Sequence, residues 1–344
     1  FQYDQHAVIR ALCSPAVAAY HPDAKGLKTA RNAVASYYAA RGEQVSPEQI
    51  LLTTSTSEAY SFAFRLLCNP GDELLIPTPS YPLFDFLAEI QDVKLKTYPL
   101  IYDHGWQIDL HALEQAVTER TRGIIVVHPN NPTGHFAKAE ELAALNRICV
   151  ARSLALIADE VFLDFSVTSE QKFSFCSNYA ALTFTMSGLS KISGLPQMKF
   201  AWLITSGPEE SRREALERLE VIADTYLSMN APVQLAAPVF LEFRHSFQKQ
   251  LTARVQKNLD ELDRQLAAQK HCGRLEMEGG WYAVLRVPAV QSDEELAISL
   301  LESEGVYVHP GHFYDFHQDG FLVLSLITPE GEFAEGLRRV LKRY

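Results

Sequence analysis

The chain has 344 residues, enough to bury a large core and to form two domains. Its 47% hydrophobic and 21% charged residues are the composition of a soluble globular protein, and no run of about 18 apolar residues is present to span a membrane. A formal net charge of −11 argues against broad nucleic-acid binding, which needs a basic face to neutralise phosphates.

Five scattered cysteines, Cys13, Cys68, Cys149, Cys176 and Cys272, show no CxxC spacing, so neither a disulfide framework nor a metal site is expected and a reducing cytoplasm fits best. The chain starts at Phe1 with no initiator methionine and no signal-peptide pattern, which reads as a natural beginning that is missing.

In chain order, AYHPDAKG is a turn-rich segment that carries Tyr20. GLKTARNAVASYYAAR then places Leu27, Ala30, Val34, Tyr37 and Tyr38 near one helical face, with Gly42 as the stop. A strand over 49–53 runs into the small polar turn Thr54 to Glu58 and then a helix over 59–67. A strand, hydroxylated turn and helix start together offer N–H groups and a positive dipole end to an anion such as phosphate. After the Pro70-Gly71 turn, a strand over 73–76 ends in a proline-stiffened loop that presents Tyr81. Further strands near 94–98, 123–127, 154–158, 182–186 and 200–204 alternate with helical stretches near 109–119 and 138–152. Short apolar strands separated by helices predict an α/β fold with a mainly parallel sheet sandwiched by helices.

From Glu209 the chain is helix-rich, with one long, kinked helical region over 232–270. Strands LEMEGG and WYAVLRV, a helix over 292–304, a strand-like 306–309, the aromatic loop PGHFYDF, strand FLVLSLI and a terminal helix follow. This order predicts an N-terminal segment over 1–25, a large α/β domain over 26–235 and a smaller α+β domain over 236–344.

Sites in such sheets lie beyond the carboxyl ends of the strands. Ser57, Tyr81, Asn131, Asp159 and Lys191 all follow strands. A lysine between the buried runs 181–186 and 200–204 either snorkels to water or is held neutral, because burial lowers its pKa, and a neutral amine is a nucleophile. A carboxylate at the end of a buried strand is costly to desolvate unless a cation meets it. Pyridoxal phosphate, PLP, makes matching demands: donors for a phosphate, a carboxylate for a protonated ring nitrogen, a donor for the 3-oxygen, an aromatic to stack on and a lysine for the aldehyde.

The segments YHPDAKGLKTAR, TTSTSEA, NPGDELLIPTPSYPLF, HPNNPTG, LIADEVF and SGLSK resemble, in this order, the class I/II aminotransferases, which are fold-type I PLP enzymes. NPTG with an Asp 28 residues later and a Lys 32 beyond that is the specific part of the match. The resemblance implies that Lys191 forms the Schiff base and shuttles the proton, and that Asp159 partners the pyridinium. It further implies that Asn131 donates to the 3-oxygen, Tyr81 stacks on the ring, and Thr56 and Ser57 cradle the phosphate. Tyr20 resembles the tyrosine that reaches the partner subunit's phosphate, which implies a homodimer with shared sites.

Four positions depart from the family pattern. Phe162 stands where a tyrosine hydroxyl meets the 3-oxygen, and Gly188 where many members have a serine on the phosphate. Lys199 replaces an arginine on that phosphate, keeping the charge but losing the bidentate fork. Val323 replaces the arginine that clamps the substrate α-carboxylate, so that group is unrecognised or held elsewhere, with the missing N-terminal segment, Arg286, His309 and His312 as candidates. The leading expectation is ping-pong amino transfer between a small-molecule amino donor and a keto acceptor, with atypical carboxylate recognition. Another PLP enzyme on the same fold (lyase, decarboxylase or racemase) and a non-catalytic protein are the alternatives.

Overall fold

The computed structural model describes residues 1–168 and 172–344. Among these, the first sheet has eight strands: β1 (Ile50–Thr53), β2 (Glu73–Thr78), β3 (Lys94–Tyr102), β4 (Trp106–Ile108), β5 (Thr121–Val127), β6 (Ala155–Asp159), β7 (Thr183–Gly188) and β8 (Ala201–Ser206). Their spatial order is β1-β8-β7-β6-β5-β2-β3-β4. The centre, β7-β6-β5-β2-β3, is parallel throughout, and the pairs β1-β8, β7-β8 and β3-β4 are antiparallel.

The strands are apolar on both faces because both faces are covered. Leu74, Ile76, Ile125, Val127, Ile157 and Met186 point into one buried cluster with helices α3 (Thr56–Leu67), α4 (Phe84–Ile90) and α8 (Glu209–Tyr226). Their alternates Leu75, Ile124, Val126, Leu156 and Ala158 point the other way, against α5 (Leu110–Ala116) and α6 (Ala139–Arg152). Helices α1 (Gln5–Leu12), α2 (Lys28–Ala39) and α9 (Ala231–Glu242) cover the β1-β8 end.

The second sheet is antiparallel, in the order β11 (His309–Pro310), β12 (Phe321–Ser325), β10 (Tyr282–Arg286) and β9 (Gly273–Arg274). One face rests on α10 (Arg244–Leu266), α11 (Asp293–Glu304) and α12 (Glu330–Leu341) through Ala283, Leu285, Leu322 and Leu324. The other face turns toward the large sheet, where Val284 joins the cluster of Leu75, Tyr98 and Trp106.

Four local expectations differ from the structure. The helical region over 232–270 is two helices, α9 and α10, meeting at Phe243. The helix after β1 begins at Thr56, because the Ser55 hydroxyl caps it by accepting the Glu58 N–H. The strand-like stretch 306–309 pairs only at His309–Pro310.

LEMEGG is not a strand, because its polar backbone groups are spent on loops of the large sheet. The Glu278 N–H donates to the Gly134 carbonyl (3.2 Å), and the Glu278 carbonyl accepts from Val167 N–H (2.9 Å). Gly280 N–H in turn donates to the Phe165 carbonyl (2.8 Å). A Cβ on Gly279 would lie 2.4 Å from the Phe136 ring, so only glycine permits this approach.

Gly188 has a similar cause. It pairs with Ala201 across β7-β8, where an added Cβ would sit 2.9 Å from both the Ala201 Cβ and the Phe200 carbonyl. The close passage of β8 therefore excludes the serine found at this place in many relatives. Gly188→Ser is expected to cost about 1–3 kcal/mol of stability through overpacking, read as a lower urea midpoint at unchanged slope; an unchanged midpoint would show that the strands have room to yield.

Candidate active site

Strand direction gathers the site. β2, β5, β6 and β7 run parallel, so Thr78, Val127, Asp159 and Gly188 end at one edge of the sheet. β8 runs against β7, and β1 against β8, so β1 shares the direction of β7 and delivers the start of α3 to the same edge. Thr56, Ser57, Tyr81, Asn131, Asp159 and Lys191 therefore all follow strands that finish together, and Lys199 precedes the strand that starts there.

Asp159 closes β6, between Val127 and Met186 in register. Burial raises its pKa above the ordinary 3.8, opposed by the Val161 N–H, the Tyr60 hydroxyl and the charge of Lys191. The Val161 N–H donates to Oδ1 at 3.1 Å and the Tyr60 hydroxyl to Oδ2 at 3.0 Å. The residue as a whole is only partly buried, while its carboxyl group is withdrawn from water. Tyr60 is itself fully buried against Phe64 and Phe84 and cannot follow the carboxylate outward.

Lys191 lies on the single turn α7 (Leu189–Ile192) that follows β7. Burial lowers the pKa of its amine, and the Asp159 carboxylate partly restores it. Its Nζ stands 5.3 Å from the centroid of the Trp281 ring and 5.7 Å from that of Phe162. Those two rings meet edge to face at 4.7 Å and form an apolar wall beside the amine.

The start of α3 supplies the unspent N–H groups of a first helical turn at Thr56 and Ser57, where an anion is stabilised. Ser55 and Glu58 flank it in a reciprocal cap, with the Thr54 N–H donating to the Glu58 carboxylate at 2.6 Å. Lys199 is exposed and takes a left-handed backbone conformation (φ 51°) just before β8.

Beyond β5, two adjacent asparagines divide their work. The Asn130 amide donates to the Pro79 carbonyl and to the Thr133 hydroxyl, each at 2.9 Å, tying the loops after β2 and β5 together. Asn131 is buried, and its Oδ1 has no hydrogen-bond partner among the described residues. Oδ1 is an acceptor and can meet only a donor, so any contact from this residue to a cofactor oxygen falls to the N–H groups of its side-chain amide. His128 braces the same loop as a neutral ring. Its Nδ1 accepts from the Ala137 N–H, its Nε2 donates to the Phe173 carbonyl, and burial pushes its pKa down to about 3.

Of the remaining sequence candidates, Tyr81 is half exposed beside the cleft and Phe162 is buried against Trp281. Tyr20 is 86% exposed, so it makes no enclosed contact within its own chain. Val323 is buried on β12. Arg286 lines a separate cavity of about 590 Å3 with Lys270, His271 and Asp319, and His312 is exposed against Phe313. Sequence reasoning missed Tyr60 and Trp281. Tyr60 is one apolar position of α3 among several, and Trp281 arrives only because the segment after β9 docks on the loops of the large sheet.

The residues present fit PLP. The Asp159 carboxylate withdrawn from water, the Lys191 amine whose pKa burial lowers, the Asn131 side-chain amide and the open start of α3 are what an aldehyde-bearing, phosphorylated heterocyclic cation would complete.

The sequence profile of the family described as aminotransferase class I and II matches residues 6–340. The glutamate-pyruvate aminotransferase AlaA of Escherichia coli K12 is 33% identical over 216 residues, covering 62% of this chain and 53% of the relative. The chain thus matches about half the length of that relative. An alanine aminotransferase of Mycobacterium bovis is 27% identical over 330 residues, covering 93% of this chain and 77% of the relative. Among solved structures, an alanine aminotransferase from Pyrococcus furiosus superposes with a TM-score of 0.88 at 24% identity, covering 100% of this chain and 88% of that one. The fold is that of the fold-type I PLP enzymes, and the family's cofactor is PLP. A profile match over nearly the whole length, joined to this arrangement of strand-end residues, establishes that the chain belongs to the class I and II aminotransferases.

Proposed function

We propose that this chain is a PLP-dependent aminotransferase that moves an amino group from a small-molecule donor to a keto acceptor in two half-reactions. The observation that carries the reading is the mutual field of Asp159 and Lys191, two desolvated groups of opposite charge at one sheet edge.

Bound there, PLP supplies an electron-withdrawing ring that lets a proton leave the reacting carbon of the substrate. Asp159 keeps the ring nitrogen positive, with Tyr60 and the Val161 N–H fixing both carboxylate oxygens. Lys191 would hold the cofactor through its Nζ, and the same amine is the group placed to carry the proton. Trp281 and Phe162 exclude water around that amine. The N–H of the Asn131 side chain would donate to the 3-oxygen, and Phe162 has no phenol to offer it. Tyr81 would stack on the ring, while Thr56, Ser57 and Lys199 would hold the phosphate.

The division we adopt is a cofactor-binding unit over 26–235 and a smaller unit over 236–344, supported by the confinement of the large sheet to 50–206 and of the small one to 273–325. The exposure of Tyr20 supports a homodimer in which it reaches the partner subunit's site. No helix among the described residues is long and apolar enough to cross a membrane. The five free cysteines support a cytoplasmic setting.

Two outcomes are expected. The PLP-loaded protein, given a panel of L-alanine, L-glutamate, aromatic amino acids and a carboxylate-free amine, should release the matching keto compound from at least one donor while its visible absorption band is lost. No release from any donor would contradict the aminotransferase reading.

The second concerns Asp159, whose folded pKa lies above its unfolded value. Its ionised form therefore costs stability above the folded pKa, and the cost disappears below about 3.8. The cofactor-free Asp159→Asn protein should thus melt a few degrees above the cofactor-free parent at pH 8, with the gain shrinking as the pH falls toward 4. With PLP present the order should reverse, because the variant binds the cofactor about tenfold or more weakly. A parent that melts higher in both states would contradict the role given to Asp159.

A further inference from the structure

The small sheet turns one face toward the large sheet, and Val284 lies on it. Register puts His309 directly opposite Val323, and Val323 opposite Val284, so these side chains stand next to one another on one face. Tyr282 and Ser325 pair one step along the same face.

This face belongs to the site. Trp281, which flanks the Lys191 amine, is the neighbour of Tyr282 in sequence, and the Tyr282 ring lies 6.4 Å from that of Phe162. The loop after His309 is anchored to the edge that presents Tyr81. The Ser80 N–H donates to the Tyr314 carbonyl at 2.9 Å, and the Thr78 hydroxyl to the Asp315 carbonyl at 2.9 Å. The hydroxyls of Tyr81, Tyr282 and Tyr314 are near enough for charge on one to raise the pKa of another.

His309 is the one residue on this face beside Val323 with an N–H to offer an anion. Its Nδ1 is taken by the Tyr314 hydroxyl at 3.0 Å. When the hydroxyl donates to Nδ1, Nε2 carries the ring's proton; when the ring is protonated, Nε2 carries one as well. In these two states Nε2–H is a donor, whereas in the neutral tautomer whose Nδ1–H donates to the hydroxyl it is not; in every case the bond to Tyr314 fixes the ring's orientation. Val323 and Val284 beside it provide an apolar floor with no competing donor.

We infer that His309, oriented by Tyr314, receives the carboxylate of the substrate at the place where relatives use an arginine. This rests on the aminotransferase reading for the identity of the substrate, not for the existence of the anion site. His309 is the specificity residue, Tyr314 a positioning residue, and the Tyr282 hydroxyl the neighbouring donor.

The test has a binding arm and a kinetic arm, both on the PLP-loaded protein. In the first, propionate and propionamide, neither of which carries an amine to react, are titrated calorimetrically into the parent, His309→Gln and Tyr314→Phe proteins. Propionate should bind the parent, and about tenfold or more weakly to His309→Gln, while propionamide changes little between them. Tyr314→Phe should lose less. In the second, His309→Gln should raise the KM of the best amino acid donor about ten- to hundredfold and alter kcat by about threefold or less.

The inference is overturned if propionate binds parent and His309→Gln equally or binds neither, or if KM is unchanged in both variants. The binding arm is read even when no donor turns over, so failure of the activity and failure of the anion site are told apart. Tyr314→Phe, which keeps the ring and its packing, guards against a fold defect in the first variant.

Discussion

The structure depends on a carboxylate and an amine withdrawn from water at one edge of a parallel sheet. Each alone is unfavourable: burial raises the pKa of Asp159 and lowers that of Lys191, and each lessens the other's shift. Neither charge is satisfied by the protein alone. Asp159 accepts two hydrogen bonds, from Tyr60 and Val161, and Lys191 lies beside two rings packed against each other. Such a pair is stable only because the surrounding core over-determines it, with Ile157, Met186 and Val127 packed behind the strand ends. The unfavourable desolvation is the binding potential for a cationic heterocycle.

Around this pair, loops from distant parts of the chain are fastened to one another. Asn130 bridges the ends of β2 and β5, the backbone of Glu278 joins the loops after β5 and β6, and the loop after β11 holds the end of β2 through Ser80 and Thr78. The small sheet is therefore one wall of the cleft. His309 lies in register with Val323 on the adjacent strand, which is where we propose that the carboxylate is held.

Much of this was legible in the sequence. Asp159 and Lys191 stood out because each interrupts an apolar run at a strand end, a place where a charge has no structural use. The parallel sheet followed from short apolar strands spaced by helices, and Thr56 and Ser57 from a hydroxylated turn before a helix. Residues whose role depends on contacts between remote segments were not legible. Trp281 reaches Lys191 because 276–280 leaves the small sheet to dock on Gly134 and Phe165. Tyr60 looks like any core aromatic until its hydroxyl is seen on Asp159. Gly188 read as a lost phosphate ligand, whereas β8 leaves no room there for a side chain. His309 was one of three candidates until strand register put it beside Val323.

The most direct measurement of the central claim is borohydride reduction of the protein incubated with PLP, followed by mass mapping of its peptides. The account predicts a phosphopyridoxyl group on Lys191 in near-stoichiometric yield, with the protein's other lysines unmodified. A label spread over surface lysines, or none on the peptide that carries Lys191, would contradict it.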